Sequence, residues 1–86
     1  MASYRIEFAR SATKDLRSID RQWMPRIASA IDALADDPTP YGCKKFVGSE
    51  HTYRIRVGDY RIVCEIQDAA VVVLVVQIGH RSEVYR

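Results

Sequence analysis

An α+β domain, with a helical hairpin packed on one face of a small, largely antiparallel four-stranded sheet, follows from three features of the 86-residue chain. Two alternating runs, Tyr53 to Val57 and Tyr60 to Cys64, flank Gly58-Asp59, which has the composition of a two-residue hairpin turn. Between Ser11 and Ala35 the apolar residues recur at helical spacing. The β-branched run Val71 to Ile78 reads as a central strand covered on both sides. The element order is β-α-α-β-β-β, in one domain over residues 1–86.

The first strand is Tyr4-Arg5-Ile6-Glu7-Phe8, whose alternation turns Tyr4, Ile6 and Phe8 inward. Ser11 is placed to cap a first helix in which Ala12, Leu16 and Ile19 share a face. Asp20 is the corresponding cap for a second helix with the stripe Trp23, Ile27, Ile31 and Leu34. Pro25 is compatible only with that helix's first turn, where it removes no intrahelical bond, so the helix is expected from Arg21 or Gln22 to Ala35. Asp36 to Gly42 holds two prolines and a glycine and ends the helix in a loop. Trp23, Tyr4 and Phe8 belong to the expected core, Cys64 is a small buried hydrophobe, and His51 and His80 are structural.

The hairpin fixes a register. If Val57 pairs with Tyr60, then Ile55 meets Ile62, Tyr53 meets Cys64, and Arg56 meets Arg61 directly. Like charges facing each other across a strand pair cost up to about 1 kcal/mol. An anion lying on that face is the simplest explanation for tolerating the cost. By the same alternation Tyr60, Ile62, Cys64 and Ile66 face the helices. On the last strand Val72, Leu74, Val76 and Ile78 are expected to do likewise, leaving Val73, Val75, Gln77 and Arg81 on the other side. Arg54, Arg56, Arg61 and Arg81 then share one face, with Tyr85 near its end.

The charge distribution agrees. The net charge is only +2, and residues 1–43 hold six Lys/Arg against six Asp/Glu. Residues 44–61 hold five Lys/Arg (Lys44, Lys45, Arg54, Arg56, Arg61) against Glu50 and Asp59. Val71 to Val76 is too short to span a bilayer and Met1 to Phe8 has no signal-peptide core, so a soluble, cytoplasmic protein without a membrane partner is expected. Cys43 and Cys64 have no metal-ligand spacing and read as plain thiols.

Such a face suits a phosphodiester. Guanidinium groups hold its oxygens and offset charge that builds up in an in-line displacement. No Asp, Glu, His or Cys cluster is spaced to carry a metal, and no cofactor is expected. Cleavage without a metal would use the 2′-hydroxyl of RNA as nucleophile. Arginine is a poor base, and Tyr85, whose phenolate nearby guanidiniums would favour, is the candidate. Tyr41, Lys44 and Lys45 are placed to touch a nucleic-acid backbone. The same arginines on a plain solvated surface, or a non-catalytic RNA-binding module, are the competing readings.

Across nearly its whole length the chain resembles the RelE/ParE superfamily of toxin-antitoxin modules, with the RelE branch nearest. The similarity lies in the Tyr-Arg-Ile-Glu-Phe strand, Ala12-Thr-Lys-Asp-Leu16, Asp37-Pro38, the run Tyr53-Arg-Ile-Arg-Val-Gly-Asp-Tyr-Arg-Ile-Val63, and Ile78-Gly-His-Arg-Ser-Glu-Val-Tyr-Arg86. The resemblance implies a RelE-like fold and a ribosome-dependent messenger-RNA endonuclease. Such an enzyme enters the ribosomal A site, cleaves by 2′-hydroxyl attack and leaves a 2′,3′-cyclic phosphate. It also implies a cognate RelB-like antitoxin that wraps the toxin. Arg54 and Arg56 fall where the family has basic residues on the second strand, Arg61 on the third, Arg81 at the end of the fourth, and Tyr85 at the terminal aromatic. Arg56, Arg61, Arg81 and Tyr85 are therefore the expected catalytic group, with Arg54, Lys44 and Lys45 binding RNA. Arginine stands where relatives can have lysine, which shifts base duty towards Tyr85. From the compact segment Gly79 to Tyr85 no terminal helix is expected. A ParE-like inhibitor of DNA gyrase is the alternative on the same scaffold.

Overall fold

The computed structural model describes residues 3–80. Its elements are β1 (Arg5–Phe8), α1 (Arg10–Leu16), α2 (Met24–Ala33), β2 (Lys44–Lys45), β3 (Thr52–Val57), β4 (Tyr60–Gln67) and β5 (Val72–His80). A single 3-10 turn, Asp68–Ala70, joins β4 to β5. The two helices lie on one face of the sheet, as expected. The sheet has five strands rather than four, in the order β1-β5-β4-β3-β2, because Lys44 and Lys45 add a two-residue edge strand antiparallel to β3. The first strand runs parallel to the last, pairing Arg5 to Phe8 with Val72 to Val75, while the other pairings are antiparallel.

The core forms where the helical stripe meets the sheet. Ala12, Ile19, Ile27, Ile31 and Leu34 pack with Ile62, Cys64, Val73, Val75 and Ile78, all buried. Each of the Val, Leu and Ile side chains contributes about 2 kcal/mol by leaving water, and these residues hold the layers together. Tyr4 ties the first strand to the β4–β5 turn, its hydroxyl donating to Asp68 Oδ1 at 2.7 Å. That bond to a carboxylate raises the Tyr4 pKa. Phe8, expected inside, is 41% exposed, because β1 is an outer strand and its last side chain lines an open cleft beside Leu16, Met24 and Ile27 instead of being covered by them.

Three local expectations change. Ser11 does not cap α1: the N-cap is Ala9, without a side-chain bond, and Ser11 Oγ donates instead to the Val76 carbonyl at 2.7 Å. Asp15 Oδ2 accepts from the Ile78 N–H at 3.0 Å. β1 ends at Phe8, so β5 beyond Val75 has no strand on that side, and two α1 side chains satisfy its free edge. Second, α2 runs from Met24 to Ala33, shorter than expected, with Pro25 in its first turn. Asp20 Oδ1 accepts from the Gln22 N–H in the preceding turn rather than capping the helix.

The third change is one of parity. Val63 pairs with Gln77 but Cys64 pairs with Val75, so Val76 is an extra, bulged residue. The bulge reverses alternation within β5. Val73 and Val75 therefore face the helices and the core, whereas Val72 and Leu74 pair with Gln67 and Glu65 on the other face. Ile78 lies beyond the bulge and faces the helices as expected.

Cys64 sits in this core, and burial pushes its thiol pKa up to about 12. Cys43 is only partly covered, and the two cysteines are unbridged. A thiolate-selective reagent at pH 8 should therefore titrate one cysteine in the native protein and two in guanidinium. Two fast equivalents without denaturant would show that Cys64 is accessible.

Candidate nucleic-acid interface

The cationic face is assembled by the β3–β4 hairpin. Gly58, at φ +60°, supplies the left-handed backbone its tight turn needs. A side chain there would also run into the Trp23 ring. With the turn fixed, Val57 pairs with Tyr60, Ile55 with Ile62, Tyr53 with Cys64 and Arg56 with Arg61, the register expected from the sequence. Ile55, Ile62 and Cys64 take the helix side. Arg54, Arg56 and Arg61 are left together on the other.

β2 adds a fourth cation. Lys44 pairs with Arg54 and so lies on the arginine face, whereas Lys45 pairs with Tyr53 and is directed to the opposite one. The structure brings Lys44, Arg54, Arg56 and Arg61 around one open cavity of about 260 Å³, with Gly42 and Ile55 completing its lining. It does not bring Lys45 there. Arg81 and Tyr85 lie outside the described residues.

Within this group Arg56 is exposed and Arg61, its cross-strand neighbour, is only 4% exposed. A guanidinium at that depth is poorly screened by water, so it acts on an anion more strongly than a surface arginine does. On the β5 side Arg61 pairs with Gly79, which has no side chain to stand beside it. Val63, also buried, pairs with Gln77 and continues the same face. Farther along, Glu65 pairs with Thr52 and with Leu74, and accepts from Gln67 Nε2 at 3.2 Å. The face is therefore polarised, cationic towards the hairpin turn and acidic at its far end.

The histidines stand apart from it. His80 pairs with Tyr60 and its ring meets Tyr60 edge-on at 5.5 Å. Tyr60 in turn lies 6.0 Å from Trp23, over which the Arg26 guanidinium sits at 5.1 Å. The Tyr60 hydroxyl accepts from the Asp20 N–H at 3.0 Å. This stack packs the turn and the end of β5 against the helices, a structural role for His80 and Trp23. His51 is exposed rather than inward, its carbonyl accepting from the Ile66 N–H at 2.8 Å.

Alternation found Arg54, Arg56 and Arg61, and local charge found Lys44. Gly42, Gly79 and the limiting Glu65 were not singled out. Gly42 reaches the cavity through a loop, Gly79 stands beside Arg61 only through the register of β5 on β4, and the pairing of Glu65 with Leu74 depends on the bulge at Val76. Among the described residues no three His, Cys, Asp or Glu side chains group as metal ligands would. No helix among them is long and apolar enough to cross a membrane.

Comparison with known proteins gives a consistent result. The family profile described as the ParE toxin of type II toxin-antitoxin systems matches residues 6–85. The toxin RelG of Mycobacterium tuberculosis is 27% identical, over 96% of this chain and 97% of that protein. The isolated RelE toxin of Escherichia coli superposes with a TM-score of 0.81 at 28% identity, covering 96% of this chain and 92% of that one. The toxin in the RelB-RelE antitoxin-toxin complex of Methanococcus jannaschii superposes at 0.75 with 28% identity, over 92% and 94% of the two chains.

Proposed function

This chain belongs to the ParE toxin family of type II toxin-antitoxin systems and is a toxin of RelE type, and on that premise we propose that it is a ribosome-dependent endoribonuclease. The reaction is cleavage of messenger RNA in the ribosomal A site, by attack of a ribose 2′-hydroxyl on the adjacent phosphodiester. The products are a 2′,3′-cyclic phosphate and a 5′-hydroxyl. The observation that carries this reading is the buried Arg61, opposite exposed Arg56, in a cavity lined by cationic side chains. Two guanidiniums converging on one phosphate favour the extra negative charge of the pentacoordinate state over that of the ground state.

The remaining roles follow from the chemistry required. Arg61 and Arg56 hold the non-bridging oxygens, Arg81 stabilises the leaving 5′-oxygen, and Arg54 and Lys44 orient the strand. Tyr85 takes the 2′-hydroxyl proton or stacks on a base. A lining of ammonium and guanidinium groups repels a divalent cation, which supports a reaction that uses none. The partner is a RelB-like antitoxin that covers the arginine face or displaces the C-terminal segment, as a toxin of this family requires while its host grows.

Brief expression in bacteria, followed by mapping of new messenger-RNA 5′ ends, tests the reading. Breaks inside translated codons, lost in an Arg81→Ala control, are expected. Growth arrest with intact messages and a DNA-damage response would instead support a gyrase inhibitor, for which the arginine face would be a docking surface.

A further inference from the structure

The four cations are not an undivided patch. Along β3 the strand repeat places Arg54 and Arg56 about 7 Å apart on one face. Register then gives each a cationic neighbour directly across, Lys44 opposite Arg54 and Arg61 opposite Arg56. Directly opposed residues have Cβ atoms about 5 Å apart, close enough for two long cationic side chains to grip one anion. The result is two cationic pairs, side by side around one cavity. The series stops at both ends. Beyond Arg56 and Arg61 the strands close in the Gly58-Asp59 turn, and beyond Arg54 the next position on the same face of β3 is Thr52, opposite Glu65.

We propose that this face is a two-phosphate clamp for a single RNA strand lying along β3. The Arg56–Arg61 pair takes one phosphodiester, the Lys44–Arg54 pair takes its neighbour, and the Glu65 carboxylate disfavours a third. The proposal rests on the reading that RNA occupies this face, and it adds the length and axis of the strand that binds. The step from one pair to the next matches the reach of one nucleotide in an extended strand. Depth distinguishes the pairs. Arg61 is buried, so its phosphate sits where stabilisation of a transition state is strongest, while exposed Lys44 and half-buried Arg54 form a holding site at the rim.

The test uses the whole free protein and calorimetry with 2′-deoxyadenosine ligands, which cannot be cleaved. The 3′,5′-bisphosphate should bind about tenfold more tightly than the 5′-monophosphate. Its affinity should also fall more steeply with salt, by about 0.7 in the log–log slope for the added phosphate. In Lys44→Ala and in Arg54→Ala the bisphosphate should lose both advantages, while the monophosphate, seated on the deeper pair, stays within about twofold. Arg56→Met should weaken both ligands. A dinucleotide carrying a third phosphate should gain nothing in the wild type and gain in Glu65→Gln. A bisphosphate no tighter than the monophosphate, equal weakening of both ligands by Lys44→Ala, or a full gain from a third phosphate in the wild type would each overturn the clamp. Melting temperatures within a few degrees of wild type establish that the variants are folded. None of these readouts requires cleavage, so a clamp that binds without cutting messages would remove the enzymatic reading and leave this one standing.

Discussion

Arg61→Met should lower cleavage of ribosome-bound message by about 10²- to 10³-fold, the loss that follows removal of one preorganised donor to developing negative charge. Methionine is the informative replacement. Arg61 is 4% exposed, and alanine would leave a cavity whose destabilisation could be mistaken for a catalytic defect. Methionine keeps most of the volume and removes the charge, including the like charge that faces Arg56 across the strands. Arg61→Lys keeps the charge but not the planar fork, and should recover only part of the rate. Single-turnover cleavage on stalled ribosomes separates these effects from binding. A rate within threefold of wild type for Arg61→Met, with ribosome binding unchanged, would remove Arg61 from the reaction.

Gly58→Ala should cost about 3 kcal/mol, the sum of forcing an L residue into the left-handed region and of overpacking a filled site. For a domain of this size that corresponds to a fall of about 10 to 20 °C in melting temperature. Two causes act together there. The backbone sits at φ +60°, and an added Cβ would collide with the Trp23 ring. That ring has little freedom to yield, with Tyr60 on one side and Arg26 over it. Gly58→Asn separates the causes, because asparagine tolerates the left-handed region but still carries a Cβ. Equal losses for Ala and Asn would assign the cost to Trp23; a mild Asn variant would assign it to the backbone. If Gly58→Ala melts within 3 °C of wild type, Trp23 does not brace the turn that sets the arginine register.

The hairpin was readable because its signals were local and redundant. Gly58-Asp59 fixed the turn, and alternation on both sides fixed which residues face each other, so the Arg56–Arg61 contact followed without tertiary information. The helical stripes were equally clear, and Ile27, Ile31 and Leu34 are buried as their spacing requires. β5 was different. In Val71-Val-Val-Leu-Val-Val every side chain is apolar, so no contrast marks which face each occupies, and the bulge at Val76 left no trace in composition. Ser11 illustrates a second limit. Its hydroxyl suits a helix cap by type, but the free edge of β5, 65 residues away in sequence, competes for it and wins. The strand Lys44–Lys45 is too short for any periodicity, and its pairing alone separates Lys44 from Lys45. Arg61 reads as an exposed cation from alternation, since its burial depends on elements distant in the chain.

The parallel pairing of β1 with β5 has a consequence in time. Synthesis delivers Arg5 to Phe8 more than sixty residues before their partners Val72 to Val75, so the order of strands in the sheet is not the order of their birth. Until Val75 has emerged, the first strand has no neighbour and Ile27, Ile31 and Leu34 lack two of the valines on which they pack. A topology that waits on such distant contacts folds as a unit, slowly among domains of this length. The hairpin bearing Arg56 and Arg61 is made earlier, but without β5 the sheet lacks the strand between β1 and β4, and the core it shares with the helices lacks Val73, Val75 and Ile78. A copy that stops short of Val75 lacks both the partner of its first strand and part of its core, and is expected to be open to proteases.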